Sequence, residues 1–205
     1  MPLLPPAVFD AVARRFHSPE LQREMRQLLA PAPGESVLDA ASGTSQLFHL
    51  VTPAEYYGID LDADRVRLAA RRHPLARVAA SDASRLALRD GRFDAVLASG
   101  LFHHVDDATA GRILEEFARV LKPGGRLVVL DAIWPTRWYN AVGFVGRLAD
   151  DGRHVRWSEE YLRLFSRRFR VATLRFLNRW GLEAILVALA RLEDAGADAG
   201  HSDTP

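Results

Sequence analysis

Short apolar segments alternate with amphipathic ones through most of the chain. The apolar runs SVLDA, EYYGID, ARVAASD, RFDAVLAS and GRLVVLD have the length and composition of buried strands. Helical patterns separate them, in SQLFHLV, DADRVRLAARRH and DATAGRILEEFARVL. Buried strands joined by helices predict an α/β fold with a mostly parallel, doubly wound sheet and helices on both faces.

The two ends of the chain depart from this alternation. Two helices are predicted first, from Pro6 to Phe16 and from Pro19 to Ala30. After Asp131 the residues 136–148 and 158–166 have helical patterns, FRVATLRFL has strand character, and LEAILVALARL fits a helix or a buried strand. We predict one domain over 1–192 and a disordered tail over 193–205; within the domain, N-terminal helices occupy 1–33, a ligand-binding core 34–131 and a substrate-side region 132–192.

Composition narrows the possible chemistry. The 205 residues include no cysteine, so disulfides, thiolate metal sites and cysteine nucleophiles are excluded, and a cytoplasmic setting is expected. The formal charge of +1 indicates neither nucleic acid nor a membrane as a partner. No secretory signal, spanning segment or metal site is predicted from the pattern, and the oligomeric state is left open.

Three aspartates follow three predicted strands about one strand-helix unit apart. Asp39, Asp60 and Asp82 each stand at or just beyond a carboxyl end, and these ends share the ligand-binding edge of a parallel sheet. Asp60 suits the hydroxyls of a ribose, and Asp82 suits an exocyclic adenine amine beside the small Ala83. Asp39 borders the loop AASGTS, where it would repel a pyrophosphate but would favour a cationic ligand. Each acid alone is more typical of a turn or a helix cap than of a ligand site, but their joint spacing predicts a nucleoside site.

These segments resemble the class I S-adenosylmethionine-dependent methyltransferases. The resemblance runs from VLDAASGTS to about Leu192 and includes YYGIDLDADRV, ASDASRLAL, GRFDAVLASGLFHHVDD and ARVLKPGGRLVVLDA. It implies a Rossmann-like seven-stranded sheet with one antiparallel strand near the C-terminus, which makes LEAILVALARL a strand. It also implies S-adenosylmethionine as the cofactor, with S-adenosylhomocysteine as the product.

The resemblance assigns cofactor roles to nine positions. It implies that Asp39 organises the loop and helps hold the methionine amine, and that Asp60 binds the ribose. The remaining positions would supply backbone contacts or flank adenine: Ala41, Ser42, Gly43, Leu61, Asp82, Ala83 and Ser99. The family's loop usually has three glycines, whereas Ala41 and Ser45 replace the first and third here. We expect an ordinary backbone angle at Ala41 and a helix-capping role for Ser45.

Candidate acceptor-side residues follow the fourth and fifth strands. His103 and His104 are candidate bases, with His104 slightly favoured, and Asp131 is placed to orient a substrate group. A histidine at this position also commonly packs or caps the next helix. Candidate substrate contacts are the rings of Trp134, Trp138 and Tyr139, as a pocket wall, and the guanidinium groups of Arg153 and Arg156, for an acidic group.

The sequence therefore predicts methyl transfer to a small-molecule acceptor, on oxygen, nitrogen or carbon. Two alternatives remain open from the sequence. The protein could hold the cofactor while catalysing a non-methylating step such as cyclisation, or it could be a non-enzymatic binding module.

Overall fold

A computed structural model describes residues 17–141, 143, 152–179 and 181–192. The predicted helix over 6–16, residues 142 and 144–148 of the predicted helix over 136–148, and the predicted disordered tail lie outside these residues. Within 136–148, residues 136–139 form bends and turns, and helical backbone occurs at 141 and 143.

The described residues form five α-helices, one 3₁₀ helix and seven strands. The strands are β1 (Ser36–Ala40), β2 (Glu55–Asp60), β3 (Arg77–Ala80), β4 (Phe93–Ser99), β5 (Leu121–Ala132), β6 (Phe169–Arg179) and β7 (Leu182–Arg191). The helices are α1 (Pro19–Leu29), α2 (Phe48–Val51), α3 (Ala63–Arg72), α4 (Asp107–Val120) and α5 (Ser158–Phe165), with the 3₁₀ helix over Phe102–His104.

One sheet contains all seven strands, in the order β3-β2-β1-β4-β5-β7-β6. The pairs from β3 through to β5 are parallel, whereas β7 is antiparallel to both β5 and β6. The predicted doubly wound sheet with one antiparallel strand is thus confirmed, and the ambiguous segment LEAILVALARL is a strand. The strand order reverses between β1 and β4, and in such sheets ligands bind at the carboxyl ends of these strands.

Apolar residues fill both faces of the sheet. One cluster joins the sheet to α4 and α5 and includes Phe102, Phe117 and Phe165. The other joins it to α1 and α2 and includes Met25 and Leu50. Central strands such as β1, buried at every position, place their polar end residues against a rigid base.

Helix caps fix where several helices begin. The Ser18 hydroxyl accepts a hydrogen bond from Leu21 N at the start of α1. The carboxylates of Asp62 and Asp106 accept from backbone amides in the first turns of α3 and α4. The Asp62 cap starts α3 directly after the end of β2, so the connecting loop there is short and stays at the edge of the sheet.

Candidate functional site

The loop after β1 reverses direction through three residues with left-handed backbone. The φ angles are +60° at Ala41, +54° at Gly43 and +58° at Ser45. The expectation of an ordinary angle at Ala41 is therefore wrong. Ser45 does not cap a helix either, because α2 begins only at Phe48. A side chain in this conformation costs about 1–2 kcal/mol, so the loop keeps a glycine-type path at two positions that lack glycine.

Asp60 ties β2 to this loop. Its carboxylate accepts hydrogen bonds from Gly43 N at 2.7 Å and from Asp62 N at 2.9 Å. An ionised carboxylate has about four acceptor positions, so two of them remain for ligand hydroxyls. Ser42 N also donates to Ile59 O at 2.8 Å, which holds the loop close to the end of β2.

Asp39 lies beneath the loop and is 2% exposed. Its pKa is raised to about 7, mainly by burial and also by the nearby Asp60 carboxylate, while a hydrogen bond from Tyr56 acts in the opposite direction. The Tyr56 hydroxyl donates to Asp39 Oδ2 at 2.7 Å. Asp60 lies close enough to raise the pKa of Asp39, and two neighbouring carboxyl groups make this edge of the sheet favourable for a cationic ligand.

Tyr56 and Gly58 are site residues that sequence reasoning missed. A Cβ atom at Gly58 would lie 2.9 Å from Ser42 Oγ and 3.0 Å from the Tyr56 hydroxyl, so the absence of a side chain lets the loop sit on β2. The hydroxyl of a tyrosine in a buried strand needs a hydrogen-bond partner. From the sequence, this requirement could have indicated that Tyr56 bonds to a nearby polar group such as Asp39.

The residues predicted to contact adenine are more exposed than Asp39 and Asp60. Asp82 is exposed and accepts hydrogen bonds from the backbone and hydroxyl of Ser84, both at 2.8 Å, which lower its pKa. Ala83 packs against the core, and Leu61 is 79% exposed beside the end of β2. An exposed leucine at this edge can pack on a flat ring.

A half-buried histidine contacts the end of β4. His17 Nε2 lies 3.1 Å from Ser99 Oγ, and burial lowers the pKa of His17 to about 4, so its ring is neutral near pH 7. The His17 ring also lines a cavity of about 220 Å³, and Gln46 from the loop after β1 lines the same cavity. Sequence reasoning missed His17, because it lies in the polar segment before α1 and has no motif around it.

The structure separates the two candidate histidines. His104 is exposed, whereas His103 is buried and its Nδ1 lies 2.6 Å from Asp131 Oδ1. Asp131 also accepts hydrogen bonds from Phe102 N, Ala132 N and the Tyr161 hydroxyl. Although burial favours a raised pKa for Asp131, the His103 ring and the backbone amides outweigh it and lower the pKa.

The candidate substrate residues differ from their predicted arrangement. Trp138 and Tyr139 are 88% and 59% exposed, so they do not form the wall of an enclosed pocket. Trp134 is half-buried, with its ring 6.4 Å from that of Trp157. Arg153 is exposed.

Arg156 is 6% exposed and its guanidinium is directed into the protein. It donates to the carbonyls of Phe102, Val105 and His154 and to Asp107. This engagement contradicts the predicted clamp for an acidic substrate, since a buried guanidinium satisfied by carbonyls serves to hold the loops together.

Glu183 anchors the segment that carries these aromatic residues. Its carboxylate accepts hydrogen bonds from the backbone and hydroxyl of Thr136 and from Asn140 Nδ2, at 2.7 to 2.9 Å. The segment after β5 is therefore tied to the turn between β6 and β7.

The fold is Rossmann-like, and the site places Asp39 and Asp60 beside a tight loop at the carboxyl ends of β1 and β2. A family model described as a methyltransferase domain matches residues 38–129. Demethylmenaquinone methyltransferase from Mycobacterium sp. (strain JLS) is 37% identical over 140 residues, which cover 63% of this chain and 60% of the relative. The protein of the same name from Streptomyces avermitilis is 30% identical over 142 residues, covering 63% and 61%. The match thus spans about 60% of the length of these relatives.

Solved structures give the same fold. An S-adenosylmethionine-dependent methyltransferase from Methanosarcina mazei superposes with a TM-score of 0.70 at 21% identity, over 80% of this chain and 95% of that one. Geranyl diphosphate C-methyltransferase from Streptomyces coelicolor A3(2), in complex with Mg²⁺, geranyl diphosphate and S-adenosylhomocysteine, gives 0.68 at 16% identity, over 84% and 80%. The chain therefore has the fold of these methyltransferases, and its residues 38–129 match a methyltransferase domain.

Proposed function

We propose that this protein transfers the methyl group of S-adenosylmethionine to a small-molecule acceptor. The observation that carries the proposal is the joint placement of Asp39 and Asp60 around the left-handed loop, with Gly43 N bonded to Asp60. The family match and the relatives named as methyltransferases support the reaction class.

The residues present fit the cofactor. Asp60 keeps acceptor capacity for two ribose hydroxyls after binding two backbone amides. The paired negative charge of Asp39 and Asp60 complements the ammonium and sulfonium groups of the methionine end. Leu61 and Ala83 offer apolar surface for adenine, and Asp82 offers an acceptor for its amine. Ser99 would add a backbone contact near the amino-acid end.

The bound cofactor supplies an electrophilic methyl group on sulfur. The protein then has to align the acceptor for in-line displacement and exclude water from the reacting atoms. His103 follows β4 on the 3₁₀ helix and contacts Asp131 near the end of β5, and the half-buried His17 contacts Ser99 at the end of β4. This arrangement supports an acceptor position near Ser99, beside residues that are fixed by hydrogen bonds.

Incubation of the purified protein with methyl-labelled S-adenosylmethionine and a panel of small acceptors tests the proposal. Transfer of label, with stoichiometric appearance of S-adenosylhomocysteine, is the expected result. Cofactor binding without transfer across hydroxyl, amine and carbon acceptors would contradict it and would favour a non-methylating step.

The described residues also bear on the kind of partner. No helix among them is long and apolar enough to cross a membrane. With a formal charge of +1, the chain also lacks the excess of basic residues typical of nucleic-acid binding, which favours a small acceptor.

A further inference from the structure

Asp39 and Asp60 form a pair of neighbouring carboxyl groups with unequal surroundings. The register between β1 and β2 places Asp39 opposite Gly58, two residues before Asp60. Both oxygens of Asp60 accept hydrogen bonds from backbone amides, Oδ2 from Gly43 and Oδ1 from Asp62. Because amide donors favour the charged form of a carboxyl group, Asp60 is the member of the pair that is better suited to carry the negative charge.

Asp39 has weaker support for a negative charge. It is 2% exposed, and its Oδ2 accepts a hydrogen bond from the neutral Tyr56 hydroxyl at 2.7 Å. Burial and the Asp60 carboxylate both raise the pKa of Asp39, which reaches about 7. Since Oδ2 accepts the bond from Tyr56, a proton bound to Asp39 lies on Oδ1.

The groups around Asp39 come from the neighbouring strands and from the helices on one side of the sheet. Asp39 faces α1 and α2, because its partner on β4, Leu97, belongs to the apolar cluster on that side. The titratable groups that act on Asp39 are Tyr56 and Asp60, both on β2, and neither is a cation. The helical side includes a neutral ring, an exposed ring and a guanidinium bonded to α2 carbonyls, which belong to His17, His49 and Arg26 respectively.

An ammonium group bound at this edge would change the balance within the pair. A nearby cation favours the ionised form of a carboxyl group, so binding of the cation and loss of the proton from Asp39 are coupled. The sign follows directly. A ligand that prefers ionised Asp39 releases a proton when it binds, and it binds more weakly as pH falls through about 7.

Tyr56 modulates this exchange. Its hydroxyl donates to Asp39 and thereby favours the ionised carboxylate, against the effect of burial. The buried hydroxyls of Ser42 and Ser45 lie close enough to the phenol to act on its pKa, so Tyr56 links the proton on Asp39 to the loop.

We propose that Asp39 carries a proton in the free protein below neutral pH and releases it to solvent when the ammonium end of the cofactor binds, with Tyr56 as the positioning residue that sets the pH of this exchange. This inference rests on the proposed function. The proton leaves Oδ1 for bulk solvent, and the carboxylate that remains keeps its hydrogen bond from Tyr56.

Calorimetric titration of the full chain with S-adenosylhomocysteine at pH 6 and pH 7.5 tests the proposal, because the ligand ammonium stays charged over this range. Repeating the titration in buffers of different ionisation enthalpy gives the number of protons released. The wild type should release about one proton per ligand at pH 6, and it should bind roughly tenfold more tightly at pH 7.5 than at pH 6.

Three variants separate the roles. Asp39→Asn should release no proton and should bind with the same Kd at both pH values. Tyr56→Phe removes the donor that favours ionised Asp39, so the ratio of the two Kd values should become larger than in the wild type. Tyr57→Phe is the matched control and should keep the wild-type ratio, because the Tyr57 hydroxyl bonds to Glu55 and Arg92 instead.

Binding to the wild type at pH 6 without proton release would overturn the inference and leave the proposed function standing. Proton release that persists in Asp39→Asn would place the titrating group elsewhere and overturn the assignment to Asp39. A Tyr56→Phe variant that binds more weakly by the same factor at both pH values would reduce Tyr56 to a structural role. Failure of the wild type to bind S-adenosylhomocysteine at either pH would instead refute the proposed function.

Discussion

The hydroxyl of Tyr56 donates a hydrogen bond to Asp39 Oδ2 at 2.7 Å, and both side chains are buried beneath the loop that follows β1. Burial raises the pKa of Tyr56 well above its ordinary value, and the Asp39 carboxylate adds to this effect. The tyrosine therefore stays protonated and acts as a donor. This bond joins β1 to β2 directly under the proposed methionine end of the cofactor.

Asp39 should make stability depend on pH. Its folded-state pKa, about 7, lies above its ordinary value of 3.8, so the folded protein binds more protons between these values and loses stability as pH rises through them. Asp39→Asn removes this dependence, and its stability relative to wild type should increase from pH 5 to pH 8. Urea unfolding at the two pH values measures the difference; Asp64→Asn, on an exposed carboxylate, is the control. An equal difference at both values would contradict the burial argument.

Replacement of Ala41 by glycine should stabilise the protein. The left-handed backbone at Ala41 costs about 1–2 kcal/mol, and glycine avoids this cost while losing about 0.5–1 kcal/mol to unfolded-state entropy. We expect Ala41→Gly to gain about 0.5–1 kcal/mol in urea unfolding. Ala70→Gly, at an exposed position in α3, should lose a similar amount. Parallel losses in both variants would show that Ala41 is not strained.

Removal of the Arg156 guanidinium should destabilise the loops around His103. Arg156→Ala leaves the carbonyls of Phe102, Val105 and His154 without this donor, and we expect a loss of about 2–4 kcal/mol. Arg163→Ala, an exposed arginine in α5, should change stability by less than about 0.5 kcal/mol. Thermal unfolding compares the two. Equal effects would remove the structural role assigned to Arg156.

Much of the fold was predictable because its signals are local. The segments SVLDA and EYYGID match β1 and β2 residue for residue, since buried parallel strands have continuous apolar runs bounded by turn residues. The segment after β5 was not predictable in the same way. Its conformation depends on the contact of Glu183 with Thr136 and Asn140, which are more than forty residues away.

The site was predictable to the extent that it depends on strand ends. Asp39 and Asp60 lie together because parallel strands place their carboxyl ends on one edge. The φ angle of Ala41 and the burial of Arg156 depend on tertiary packing and cannot be derived from residue type. For the same reason, the pattern HH did not distinguish the buried His103 from the exposed His104.

The central claim is that Asp60 and the loop after β1 hold the nucleoside of S-adenosylmethionine. Isothermal titration of S-adenosylhomocysteine into wild type and Asp60→Ala, with Asp64→Ala as the matched control on α3, tests it most directly. We expect the wild type to bind S-adenosylhomocysteine and Asp64→Ala to bind it with an unchanged Kd. Asp60→Ala should bind it more weakly by roughly 1 to 3 kcal/mol, which is the scale of lost charge-assisted hydrogen bonds. An Asp60→Ala variant that stays folded and binds as tightly as wild type would contradict it.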